Sequence, residues 1–204
     1  TRSALPSPTR SGPVTLVRSP GDVVADAIAH NLSERGVEVR SVPHAELDAF
    51  LAGPLSGRPQ VMVHLVGPAV SLETAGITGG ALAVARSCGH ADRTPGFEVA
   101  LITRGTFEAD HDVAIAGSAL WSLGRVARLE HPEARLQLVD LDADADVGVA
   151  VDTLLSPVEG EWRIAGAEVL HPRLSRASTH AEQGFGARGS WLLTGGTGSI
   201  GLQL

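Results

Sequence analysis

A chain of 204 residues with 43% hydrophobic content is long enough to bury a sizeable core, as one large or two small domains, and too apolar to be disordered. Its 16 basic and 23 acidic side chains give a net charge of −7 with no Lys/Arg run, which removes the electrostatic footing for nucleic acid. A lone cysteine, Cys88, excludes an intramolecular disulfide; no signal peptide or apolar run of about twenty residues is present, so the expectation is a cytoplasmic protein with neither membrane nor nucleic acid as partner.

Thr1 to Gly12, rich in Ser, Pro and Arg, reads as a linker. Val14 to Val17 is a short apolar strand. Ser19-Pro20-Gly21-Asp22 then supplies a turn and a helix cap, and Val24, Ile28 and Leu32 recur at helical spacing until Gly36 ends the helix. Val37 to Val42 reads as a second strand and Ala45 to Leu51 as a short amphipathic helix. Gln60 to Leu65, with Val61, Val63 and Leu65 alternating, is a third strand.

A helix runs through Gly80 to Arg86, a strand spans Glu98 to Thr103, and a longer helix covers about Asp112 to Glu130. In that helix Val113, Ala116, Leu120, Leu123 and Ala127 fall on one face with Val126 beside it, so core packing and a docking role are both open. His131-Pro132 stops it, because proline disfavours helical geometry in the residue before it. Leu136 to Leu141 is another buried strand, and Glu161 to Ala165 with Glu168 to Leu170 reads as a hairpin across Gly166. Strands alternating with helices predict a parallel sheet covered on both faces.

After the polar, Gly-rich stretch Ala177 to Gly189, the apolar run Trp191 to Leu193 is a strand feeding a glycine-rich turn and a new apolar helix start at Ile200, Leu202 and Leu204. Gly196, Gly198 and Gly201 fit G-x-G-x-x-G, the pattern that allows a tight turn, close approach of a pyrophosphate and close helix packing. Such a helix aims free N–H groups at phosphates, although glycine-rich loops also serve as plain turns. The first domain has the same strand and helix alternation without spaced glycines after its opening strand, and is expected not to bind a dinucleotide.

Several other patterns point to structure. Asp140-Leu141-Asp142-Ala143-Asp144-Ala145-Asp146 begins like a calcium loop, but no glycine stands at the sharp turn and no Glu closes it. Cys88, His90 and His111 lack zinc spacing, and no metal site is expected. Thr103-Arg104-Gly105 reads as a strand-ending turn or a functional loop, and no Gly-x-Ser-x-Gly elbow is present.

Thr194-Gly195 followed by Gly198 and Gly201 resembles a cofactor turn of the short-chain dehydrogenase/reductase superfamily. Four ordered blocks narrow this: Trp121 to Glu133 (WSLGRVARLEHPE), Leu138 to Asp142 (LVDLD), His171 to Leu174 (HPRL) and Thr194 to Gly198 (TGGTG). Together they resemble the ketoreductase of a type I polyketide synthase, firmly from about Glu98 onward and more loosely before. The resemblance implies an α/β chain: a degenerate Rossmann-like structural subdomain, a parallel sheet with helices on both faces, followed by the first strand of a second Rossmann fold. The implied boundaries are a linker over 1–12, the structural subdomain over 13–176, a linker over 177–189 and a truncated NADPH-binding catalytic subdomain over 190–204.

It further implies that Thr194, Gly195, Gly196, Thr197, Gly198, Ser199, Ile200 and Gly201 hold NADPH, and that the parent protein reduces a β-ketoacyl group carried on an acyl carrier protein. The implied partners are the catalytic subdomain, the acyl carrier protein and neighbouring synthase domains. The family's catalytic Tyr and Lys are absent, since the chain contains neither residue type, so no catalytic residue is assigned and the fragment alone is expected to be inactive. Two alternatives stay open, a non-catalytic scaffold derived from a ketoreductase and, more weakly, an independent oxidoreductase of the superfamily.

Overall fold

Short, mostly apolar strands such as Val14–Arg18 and Gln137–Leu141, buried along almost their whole length, belong in the middle of a sheet covered on both sides. That is their place in the computed structural model, which describes residues 12–19, 21–53, 60–65, 74–107 and 111–176, with Thr194 and Gly198. The chain divides into two compact units, Thr1–Arg173 and Leu174–Leu204, and every described strand and helix belongs to the first.

The elements of that body run β1 (Val14–Arg18), α1 (Val23–Glu34), β2 (Val39–Pro43), a 3₁₀ turn (His44–Glu46), α2 (Leu47–Ala52), β3 (Gln60–Leu65), α3 (Thr74–Ala91) and β4 (Phe97–Arg104). They continue with α4 (His111–Glu130), a 3₁₀ turn (Pro132–Ala134), β5 (Gln137–Leu141), α5 (Val147–Leu155), β6 (Glu161–Ala165) and β7 (Glu168–Leu170). The sheet has seven strands in the order β2-β1-β3-β4-β5-β6-β7. All pairs are parallel except β6 with β7, which form the antiparallel hairpin across Gly166. Doubly wound α/β topology of this kind is Rossmann-like.

Two cores flank the sheet. Leu16, Val63, Ile102 and Val139 point to one side, where α1 and α5 contribute Ile28, Leu32, Val151 and Leu154. Val17, Met62, Leu101 and Leu138 point to the other, where α2, α3 and α4 contribute Leu47, Val84, Leu120 and Trp121. No helix among the described residues is long and apolar enough to cross a membrane.

Most expected element boundaries lie within one or two residues of the observed ones, and the larger differences are in the helices. The helix expected through Gly80 to Arg86 extends over Thr74–Ala91, because glycines in its first turns hide the apolar periodicity. The acidic loop leads from strand to helix, as its composition indicates, and that helix, α5, is buried on nearly every side, so its bounds carry no stripe to read. In α4 the core-facing residues are Ala116, Gly117, Leu120, Trp121, Gly124 and Ala127, while Leu123 is half-buried and Val126 is exposed.

The two helical glycines of α4 permit its close approach. A Cβ on Gly124 would lie 2.4 Å from Leu138 Cδ2, and one on Gly117 would lie 2.3 Å from Thr106 Oγ1.

Candidate functional site

Parallel α/β sheets bind ligands at the carboxyl ends of the strands where the winding reverses, which here is the boundary between β1 and β3. The first helix opens onto this crevice. Gly21, at φ +77°, makes the turn that delivers Asp22 to the N-cap of α1. Asp22 Oδ1 accepts from the N–H groups of Val24 (3.1 Å) and Ala25 (3.2 Å). These are the orphan donors that would otherwise attract a phosphate.

The other carboxylate oxygen, Oδ2, accepts from Arg104 Nη2 at 2.8 Å. Arg104 comes from the end of β4, so its side chain reaches past the end of β3 to α1. Both partners are largely buried, with side chains 17% and 6% exposed for Arg104 and Asp22. Burial pushes the Arg104 pKa down, and the charge and hydrogen bond of Asp22 push against that shift. Arg18, at the end of β1, pairs with Asp26 beside this bridge. The anion site of the fold is thus filled by the chain's own carboxylate, and a pyrophosphate entering it would have to displace a capped, paired side chain.

The loop after β4 is held by a buried acid. Asp140 of β5 accepts from Thr103 Oγ1 (2.7 Å) and from the backbone N–H groups of Thr106 (3.1 Å) and Phe107 (3.3 Å). Gly105 adopts φ +66° within this turn. Thr103-Arg104-Gly105 is therefore a fixed strand-ending turn whose arginine spans the crevice.

At the far end of α4, Glu161 of β6 accepts from Arg125 Nη2 (2.6 Å), Arg128 Nη1 (3.4 Å) and Trp121 Nε1 (3.4 Å). Burial alone would raise the Glu161 pKa, but the Arg125 hydrogen bond and charge, with Trp121 and Arg128, hold it below the usual carboxylate value. His131 Nδ1 meets Asp92 Oδ2 at 2.6 Å, tying the end of α4 to the loop after α3.

The acidic loop is committed to structure. Asp142 holds Arg163 through two bonds of 2.7 and 2.8 Å, Asp144 accepts from Gly166 N–H, and Asp146 caps α5 through Val149 N–H. Cys88 is buried, and burial pushes its thiol up to about 12, with the charge of Asp92 adding to the effect.

Of the eight fingerprint residues, the structure describes Thr194, in an exposed turn, and Gly198, at an exposed bend. Gly195, Gly196, Thr197, Ser199, Ile200 and Gly201 lie outside the described residues. Sequence spacing gives no hint of the Asp22 to Arg104 bridge, whose members lie 82 residues apart, or of the pairing of Glu161 with α4.

α4 also carries a second apolar face. Ile115, Ala119, Ser122, Val126 and Leu129 follow alternating steps of four and three, opposite the core-facing residues, and all are exposed. Leu129 is 85% exposed. Exposed apolar side chains at this spacing form the seam of a helix pair.

The family model described as "Polyketide synthase extender module SpnB, Rossmann fold domain" matches residues 6–174. Similar curated proteins include polyketide synthase GfsE of Streptomyces halstedii, 37% identical over 119 residues, covering 53% of this chain and 3% of that protein. Pikromycin polyketide synthase component PikAIII of Streptomyces venezuelae is 43% identical over 100 residues, covering 46% of this chain and 6% of that protein. The chain thus spans only a small part of these relatives. Among solved structures, an A1-type ketoreductase is similar at 29% identity and a TM-score of 0.67, over 99% of this chain and 47% of that one. A-type ketoreductases from a modular polyketide synthase match at 25% identity and a TM-score of 0.64, over 87% of this chain and 42% of that one.

Proposed function

The chain belongs to the Rossmann-fold domain family of polyketide synthase extender modules, as a ketoreductase structural subdomain of the short-chain dehydrogenase/reductase superfamily, and from this we propose that it is the silent brace of a reductase. In this reading the other half of the ketoreductase reduces a β-ketoacyl group on an acyl carrier protein to the β-hydroxyacyl form. One observation carries the silence of this half: its ligand crevice is filled by Asp22 and Arg104.

NADPH, when bound, supplies the hydride. The residues proposed to hold it are Thr194 to Gly201, where the glycines let the backbone approach the pyrophosphate; the exposure of Thr194 and Gly198 fits that role, whereas the capped end of α1 does not. The outward seam of α4 supports the bracing role, with the other half of the ketoreductase as its occupant, since the chain covers less than half of the two solved ketoreductases named above.

The test compares this chain with the complete ketoreductase by following NADPH oxidation on a β-ketoacyl thioester. Turnover by the complete protein and none by this chain is expected. No turnover by the complete protein would favour a scaffold that has lost its chemistry, and turnover by this chain alone would overturn the reading.

A further inference from the structure

One polar side chain lies in the core beneath α3 with half of its hydrogen-bonding capacity unused. His64 of β3 is 1% exposed and, by strand register, shares a sheet face with Val17 and Leu101. Its Nε2 lies 2.9 Å from Ser87 Oγ of α3, and Ser87 Oγ in turn donates to Met62 Sδ at 3.0 Å. With the Ser87 hydroxyl turned to Met62, the neutral imidazole carries its proton on Nε2 and donates to Ser87. Nδ1 is then a bare lone pair, with no hydrogen-bond partner among the described residues.

We propose that His64 is an acid-sensitive latch between β3 and α3: a proton taken at Nδ1 frees α3 from the sheet while the α1 and α5 face stays packed. Protonated Nδ1 would be a charged donor with no acceptor in an apolar core, which is costly. The ionisable groups of the surrounding elements give no relief. α3 contributes the Cys88 thiol, which burial keeps protonated, and Arg86, which is exposed and paired with Asp48 of α2. β1 ends in Arg18, paired with Asp26, and β4 ends in Arg104, paired with Asp22. The turn after β2 contributes His44, itself a base, whose charge disfavours a second cation.

Burial, and then His44, push the His64 pKa down to about 3. Once α3 lifts, the imidazole returns to its ordinary value of roughly 6.5. Opening therefore takes up a proton, so closure is fully favoured above the ordinary value and weakens as pH falls toward the folded one. Between pH 8 and pH 4.5 the opening equilibrium rises roughly 100-fold. α3 is the element to yield, because its sequence TAGITGGALAVARSCGHA holds four glycines and has little helix propensity of its own.

Hydrogen exchange on the 204-residue chain, corrected for chemical exchange rate, tests this at pH 8 and pH 4.5. Protection of α3 is expected to fall roughly 100-fold while α1 and α5 change little. His64→Gln, which cannot take the proton, is expected to abolish the difference. Loss of protection on both faces together, or an undiminished drop in His64→Gln, overturns the latch. Should that variant fail to fold, imidazole NMR of the unmodified chain decides: a His64 midpoint near its ordinary value with α3 still protected, or no change at His64 while α3 keeps its protection down to pH 4.5, overturns the proposal, and a His64 signal that changes only as α3 loses protection supports it.

Discussion

Replacing Asp22 by Ala removes two functions at once, and the structure allows them to be separated. The first is the helix cap, in which Oδ1 satisfies the N–H groups of Val24 and Ala25, worth about 1 kcal/mol. The second is the partner of Arg104, whose side chain is 17% exposed against 6% for Asp22. Breaking a fully buried pair costs about 3–5 kcal/mol; Arg104 keeps some access to water, so about 2 kcal/mol is the appropriate figure. Asp22→Ala is therefore expected to cost about 3 kcal/mol, and Asp22→Asn, which keeps a capping oxygen, about 1–2 kcal/mol. The assay is urea denaturation followed by fluorescence of the buried Trp121 and Trp162, run as a double-mutant cycle with Arg104→Met. A coupling of about 1–3 kcal/mol is expected. Additivity within about 0.5 kcal/mol would refute the claim that the two side chains close the crevice as a unit.

Gly124→Ala is expected to destabilise by about 1–3 kcal/mol, because the new methyl would sit 2.4 Å from Leu138 Cδ2, and Leu138→Val in the same chain should recover part of the loss in the same denaturation assay. Asp140→Asn replaces one acceptor oxygen with a donor nitrogen facing Thr103, Thr106 or Phe107, so a loss of about 1–3 kcal/mol and faster amide exchange at Thr106 and Phe107 are expected. The lowered pKa of Glu161 gives stability that is present above the ordinary carboxylate value and lost as pH falls through the folded one. Urea midpoints should therefore fall from pH 7 to pH 3 by less in Glu161→Gln than in the unmodified chain, and equal slopes would contradict the pairing with Arg125.

The strands are legible where a short apolar or alternating run is bounded by a turn: β3 and both arms of the β6 and β7 hairpin lie at the residues the alternation indicates. Helices were legible in proportion to their asymmetry. α1 has a cap, a stripe and a terminating glycine, whereas α5 is buried almost all round and gave no period. In α4 two apolar faces overlap in sequence, so periodicity sets Val126 beside the core stripe although it belongs to the exposed seam with Ile115 and Leu129. The glycine fingerprint was visible because its chemistry is local, confined to eight consecutive residues. The Asp22 to Arg104 bridge was not, because long-range pairing is decided by topology, and nothing near either residue encodes the other.

The filled crevice has a thermodynamic consequence that suits a brace. A nucleotide-binding Rossmann half leaves the amides of its first helix to be satisfied by the cofactor, so its stability rises and falls with cofactor concentration. Here Asp22 satisfies two of those amides, Val24 and Ala25, within the chain and Arg104 balances its charge. The stability of this body is then expected to be the same whether or not nucleotide is present. If that is right, NADPH added in large excess should leave the melting temperature of this body unchanged, while Asp22→Ala lowers it by an amount that NADPH does not restore. Restoration by the nucleotide would mean that the crevice accepts NADPH, and would refute the filled-crevice reading.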